Sequence, residues 1–345
     1  MAVILLVMAY HRTTYTIGFM GWYDTFQNTK INYFLFSLNL AMGPLIYLYV
    51  RVTIRPPFRL TKLDGWHFIP VASYILYRII LLVHDSGQDD WQKGYDGQWM
   101  REVDQVYVSP VIQLLTYTSQ VIYYAFTIQL FWNYRQKIRQ FFSNTYAIEL
   151  RWIKNFLIIY TFLFVYGYLT DLIDAFIIQL DYVHNWWIHF FSAIAIVYLG
   201  IKSYFTDLQG LHTLTLDVSE APEGSIARED SAYDGQKEKL SGLLYKEALY
   251  LNPNLTLKDV AAKSGMGIQE LSATINTGFG VNFNEWINGY RVEAVKEKLG
   301  HPDNDHLSLV AIAYDCGFNS KATFNRVFKA MTGISPSEYK ANHRS

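Results

Sequence analysis

The sequence predicts an all-α chain with two unlike halves: an N-terminal bundle of membrane-spanning helices, then a soluble domain of two helix-turn-helix units in tandem. Three observations predict it. Apolar runs of about 18–25 residues recur through the first 205 positions, the length that crosses ~30 Å of hydrocarbon. From residue 235 onward the apolar residues switch to the i, i+3, i+4, i+7 spacing of amphipathic helices. Residues 307–340, LSLVAIAYDCGFNSKATFNRVFKAMTGISPSEYK, read as a short apolar helix, a Gly-Phe turn, a helix studded with Lys and Arg, and a Gly-Ile-Ser-Pro stop.

The apolar runs fall at 33–50, 66–83, 108–132, 156–180 and 186–204. A sixth, 2–22, is interrupted by His11 and Arg12; it lacks the basic start and small-residue cleavage site of a signal peptide, so it too reads as a span. Basic residues set the orientation. Arg51, Arg55, Arg59 and Lys62 follow the second span, and Arg135, Lys137, Arg139, Arg151 and Lys154 follow the fourth, so both connections read as cytoplasmic. Residues 84–105 carry Asp85, Asp89, Asp90, Asp96, Glu102 and Asp104 against Lys93 and Arg101, and read as an outer, solvated loop. Alternation then puts everything after residue 205 in the cytoplasm. Trp22, Tyr23, Trp66, Trp132, Trp186 and Trp187 sit at span ends, as interfacial aromatics do.

Asp171 and Asp174 stand out within the fifth run. At i, i+3 they share one helix face, and intramembrane carboxylates are costly unless paired or hydrated. They read either as a polar, outward-opening site or as the place where the helix leaves the bilayer. The acidic outer loop lacks the ligand spacing of an EF-hand. His67, His84, His184 and His189 do not pair at metal-ligand spacing, with His184 and His189 read as lying across a solvated turn. One cysteine, Cys316, excludes a disulfide framework and a multi-cysteine metal site, and its apolar position predicts a buried thiol. No HExxH, Walker A, GxSxG or kinase pattern is present. The reading is therefore of a non-enzyme without cofactor or metal.

Residues 206–234 lose hydrophobic periodicity and gain Pro, Gly, Ser and acids, the composition of a flexible linker that as a coil reaches roughly 30 Å. The domains are thus 1–205, a linker at 206–234, and 235–345. Within the last, Thr256 is an N-cap, Val260 and Ala261 face inward, and Gly265 closes the first helix of the first unit. A long helix from Phe283 buries Phe283, Trp286, Ile287, Tyr290 and Ala294. In the second unit Leu309, Val310 and Ile312 pack the first helix. Asn319 and Ser320 open the next, and Phe324, Val327 and Phe328 face its core.

LSATINTGFGVNFNEWINGYRVEAVKEKL and IAYDCGFNSKATFNRVFKAMTGISPSEYK resemble the DNA-binding domain of AraC/XylS-family bacterial transcription regulators. The closest correspondence runs through Ala313, Gly317, Phe318, Phe324, Phe328, Lys329, Gly333, Pro336 and Tyr339. The first half resembles, through GPLIYLYVR and HFIP, the multi-span domains of membrane-bound regulators of this type from Bacteroidetes-like bacteria. The resemblance implies that exposed residues of each unit's second helix meet base edges: Gln269 and Ser272 in the first, Lys321, Thr323, Asn325 and Arg326 in the second. Arg or Lys reads guanine and Asn or Gln adenine, although contacts to phosphate and sugar are the larger class. The implied partners are double-stranded promoter DNA and the lipid bilayer. RNA polymerase, a second copy of the chain and an external or membrane ligand are further candidates. The implied location is the inner membrane, multi-pass, with the DNA reader in the cytoplasm. Two other readings fit the same pattern: a membrane transporter or enzyme with a regulatory DNA-binding tail, and a passive membrane tether for the DNA reader.

Overall fold

The computed structural model describes residues 1–20, 29–34, 36–54, 60–88, 91, 96–145, 150–180, 186–205 and 233–342. Trp22, Tyr23, Arg55, Arg59, Asp89, Asp90, Lys93, His184 and nearly all of the expected linker lie outside them. Among the described residues the regular structure is helical, with one isolated bridge between Phe142 and Thr256. The chain divides into two compact units: Met1–Phe131 with Leu150–His212, and Trp132–Glu149 with Thr213–Ser345. The sequence boundary near residue 205 differs from this division in one respect. Residues 132–149, expected with the first half, group with the second.

The first unit contains α1 (Ala2–Phe19), α2 (Met42–Ile54), α3 (Ile69–Ser86), most of α4 (Ser109–Phe141), α5 (Arg151–Phe176) and α6 (Trp186–Tyr204). Each expected run supplies a helix, with shifted ends. The run at 33–50 begins in 3₁₀ turns (Thr29–Tyr33, Asn39–Ala41) and becomes α-helical at Met42. Pro44 fits there because the first helical turn has no internal partner for its missing N–H. Among the described residues two helical stretches, Lys62–Ser86 and Arg151–Phe176, are long and apolar enough to cross a membrane; Asn39–Ile54 and Trp186–Lys202 are apolar but shorter.

The unit is apolar on its outside. Leu6 (69% exposed), Leu76, Leu114, Phe162 and Val197 (62%) all face outward, from five different helices. Its inside carries charge. Arg78, buried, donates to Asp104 (2.9 Å) and to the Asn32 carbonyl (2.6 Å). Asp85, fully buried, accepts from Tyr33 Oη (2.6 Å) and from the Trp99 and Met100 amides (3.1 and 3.0 Å). Two carboxylates of the loop expected to be solvated are therefore internal anchors. Asp85 lies in the last turn of α3 and Asp104 in a π-helical stretch, Met100–Val108, with Met100 buried four residues before it, so both belong to helices rather than to a loop. No group of three metal-ligating side chains occurs among the described residues.

The second unit contains α7 (Asp234–Lys246), α8 (Leu257–Ser264), α9 (Ile268–Ala273), α10 (Phe283–Gly300), α11 (Leu309–Asp315), α12 (Lys321–Thr332) and α13 (Pro336–Asn342). It has two hydrophobic cores, and α10 belongs to both. Phe283, Trp286 and Ile287 enter the first with Leu240, Leu244, Val260 and Leu271. Val292, Val295 and Leu299 enter the second with Ile312, Phe324 and Phe328. The single face expected for this helix accounts only for its N-terminal half. Serving two cores turns the buried stripe, so Tyr290 and Ala294 end up partly buried at its edge. Cys316 is fully buried in the second core, and desolvation pushes its thiol up to about 11. The thiolate is the reactive form, so the folded chain is expected to resist iodoacetamide at about pH 8 and to be alkylated once unfolded. Rapid labelling of the native protein, followed by mass spectrometry, would contradict this placement.

Candidate nucleic-acid interface

Each helix-turn-helix unit is set by local chemistry. In the first, Thr256 and Asp259 form a reciprocal cap: Thr256 Oγ1 accepts from the Asp259 amide (3.2 Å), and the Thr256 amide donates to Asp259 Oδ2 (2.8 Å). The α8 helix then stops at Gly265 in the left-handed region, and α9 starts three residues later. In the second, Ser308 caps α11 through the Ala311 amide (3.1 Å), and Ser320 caps α12 through the Thr323 amide (3.1 Å). Gly317 makes the turn between them at φ +87°.

The α12 helix is sharply two-faced. Thr323, Phe324, Val327 and Phe328 are buried, while Lys321, Ala322, Asn325, Arg326 and Lys329 are exposed. None of Lys321, Arg326 and Lys329 forms a salt bridge among the described residues. The exposed face therefore presents three cations and an amide on one rigid rod. On α9 Gln269 and Glu270 are exposed, and Asn276, in the π-helical stretch Thr274–Gly278 that follows, lies exposed seven positions beyond Gln269.

Four of the six expected contact residues, Gln269, Lys321, Asn325 and Arg326, are thus exposed together on their helices. Two are not. Thr323 is 8% exposed and sits beside the Ser320 cap, receiving a hydrogen bond from Ser320 Oγ (3.2 Å). Ser272 is 6% exposed, its Oγ accepting from Asn276 Nδ2 (3.2 Å). Helical periodicity explains both: Thr323 falls on the side of Phe324 and Val327, and Ser272 on that of Leu271. The same periodicity points to two residues the sequence reading left out, Lys329 and Asn276. Asp171 and Asp174 lie in the first unit and also part company. Asp171 accepts from Gln113 and Tyr117, whereas Asp174 Oδ1 accepts from the Leu180 amide (2.7 Å) at the end of α5.

A buried arginine ties α10 to the segment before α8 and to the residues that follow α4. Arg291 of α10 is 1% exposed and makes five hydrogen bonds. Its Nε donates to the Tyr250 carbonyl (2.8 Å) and Nη2 to the Asn252 carbonyl (2.7 Å) and Ser143 Oγ (3.1 Å). Nη1 donates to the Ser143 carbonyl (3.3 Å) and Asn288 Oδ1 (3.3 Å). Desolvation lowers its pKa to about 10, so it stays a cation at neutral pH. Ser143 belongs to a short strap that follows α4. Its amide donates to the Leu255 carbonyl (3.1 Å), Asn284 Nδ2 donates to its carbonyl (2.7 Å), and Phe141 packs on the first core. The second unit is therefore built from two separate stretches of chain.

Tandem units of this construction define a class of domain, and comparison with known proteins agrees. Residues 248–342 match the family described as the helix-turn-helix domain. The C-terminal segment is a helix-turn-helix domain of AraC type. The chain is 29% identical over 127 residues to "Regulatory protein PocR" of Salmonella typhimurium, covering 36% of this chain and 40% of that one. It is 26% identical over 119 residues to "Uncharacterized HTH-type transcriptional regulator YtdP" of Bacillus subtilis, covering 34% and 15%. It is 30% identical over 94 residues to the HTH-type transcriptional regulator SACOL0084 of Staphylococcus aureus, covering 27% and 12%. The chain spans less than half the length of these relatives. No solved structure gives a significant match.

Proposed function

We propose that this chain is a membrane-anchored transcription regulator. Its second unit binds promoter DNA with α9 and α12 in successive major grooves, and its first unit responds to a signal at the membrane. The observation that carries the DNA reading is the α12 face of Lys321, Asn325, Arg326 and Lys329, held outward by a helix whose opposite face is fully packed. A rod in that state can enter a groove without losing its core. Lys and Arg exceed Asp and Glu by only two from Lys237 onward, so backbone attraction is modest and base contacts carry more of the selectivity.

The anchoring reading rests on the first unit's outward apolar side chains, which water would penalise and lipid tails would not, and on where Lys and Arg fall. It places the second unit on the cytoplasmic side of the inner membrane. The reaction class is binding, and no cofactor enters it.

The test is a binding titration with the full chain in nanodiscs on operator fragments recovered by genome-wide mapping of the tagged protein. Arg326→Ala is expected to weaken the preferred sequence by about 1–3 kcal/mol and to relax selectivity at one base position. Lys329→Ala is expected to weaken all sequences alike and to lower the salt slope by about one. An Arg326→Ala chain that bound its operator as tightly as the parent would sink the assignment of α12.

A further inference from the structure

We propose that the first unit holds a binding site for a small zwitterion carrying both an ammonium and a carboxylate, of the free amino-acid class. The proposal rests on reading this unit as a membrane-embedded sensor.

Side chains from three helices, His11 and Arg12 of α1, Asp171 of α5 and His189 of α6, open onto one cavity of about 250 Å³. An ionisable side chain inside a span is expensive and marks a functional site unless a partner neutralises it. Here the opposite charges do not neutralise each other. Arg12 is held through Nε by the neutral Ser192 Oγ (2.6 Å). Asp171 is held by Gln113 Nε2 (3.1 Å) and the Tyr117 hydroxyl, both on Oδ2. Among the described residues no salt bridge joins Arg12 to Asp171. A cation and an anion kept apart by neutral partners around a shared space form a template of separated charge.

The two ends differ in what they accept. Around Asp171 the ring of Tyr117 meets those of Tyr168 (5.0 Å) and Phe164 (6.1 Å) edge to face, and Phe164 and Tyr168 lie parallel. A carboxylate with a free oxygen among aromatic rings suits an organic ammonium, through charge and ring faces together. The opposite end is rich in donors. Beside Arg12, His189 stacks on Tyr15 (3.7 Å) and its buried Nδ1 has no hydrogen-bond partner. Such an end suits a carboxylate. A neighbouring cavity of about 520 Å³ shares His11, Tyr117 and Asp171 with the first and gives a side chain room. A simple amine would leave Arg12 unanswered, and a simple acid would meet Asp171.

The test uses the full chain in nanodiscs, its thermal unfolding followed in the presence of each standard L-amino acid at about 1 mM. At least one is expected to raise the midpoint by about 2–4 °C. On the unmodified chain, the matching amine lacking the carboxylate and the N-acetyl derivative lacking the ammonium are each expected to bind at least about tenfold more weakly, equivalent to ~1.4 kcal/mol. Arg12→Gln should remove the preference for the amino acid over its amine, and Asp171→Asn should weaken both. The proposal fails if no amino acid shifts the midpoint, if the amine binds as well as the amino acid, or if the shift survives both substitutions. Operator binding by the same preparation, and its recovery in the membrane fraction, report separately on the reading beneath it. Failure of the pocket with both intact would overturn only the ligand assignment.

Discussion

Arg291→Met is expected to destabilise the second unit by about 3–5 kcal/mol, the usual cost of removing one member of a buried, hydrogen-bonded charged network. Methionine fills much of the volume, so packing is not the main loss. What is lost is the donor set: the carbonyls of Tyr250 and Asn252 would lose their charged partner, and buried Ser143 would keep only the Asn284 amide on its carbonyl. Arg291→Lys keeps the charge but offers a point donor in place of a fork, and should recover only part of the loss. Hydrogen exchange of peptides from α10 and from residues 249–256 in the full chain measures this. Opening should become roughly 150- to 5000-fold more frequent in the methionine variant. Unchanged protection would mean that the arginine network contributes nothing to stability.

Gly317→Ala is expected to cost about 3 kcal/mol, from two sources that a control separates. At φ +87° an L side chain pays about 1–2 kcal/mol for the left-handed backbone. An added Cβ would also lie 2.4 Å from the Tyr250 carbonyl oxygen and 3.0 Å from Arg291 Nε, and overpacking of that kind costs a further ~1–3 kcal/mol. Gly333 has nearly the same conformation, φ +81°, with nothing within 4 Å of its Cβ position. Gly333→Ala should therefore show the conformational cost alone. Denaturant unfolding of both variants gives the difference. Equal losses would mean that the turn does not press on the arginine site.

Much of the second unit was legible because its signals are local. The Thr256 and Ser320 caps, the glycines that end the short helices, and the spacing of Phe324, Val327 and Phe328 all act within a few residues. The exposed face of α12 was legible for the same reason, and periodicity applied strictly would have exchanged Thr323 for Lys329. The helices of the first half were legible from hydrophobic length. What could not be read was long-range. Nothing near Ser143 announces that it meets Arg291, and an arginine in an amphipathic helix reads as surface. His189 read as part of a solvated turn, yet it lies on α6 and lines the same cavity as Arg12 and Asp171. Such groupings arise only once helices pack.

The strap around Ser143 has a consequence for how the protein is made. Ser143 and Arg291 are 148 residues apart in sequence, and at 5–20 residues per second the ribosome takes roughly 7–30 s to travel between them. Through that interval the strap waits without its partner, and the slow, long-range closure comes only once residue 291 has been made. The arginine network of the second unit is thus incomplete until residue 291 has been made. A C-terminal fragment severed between residues 206 and 232 would leave with its arginine network incomplete. Cleavage there is better suited to ending the protein's activity than to freeing an active messenger.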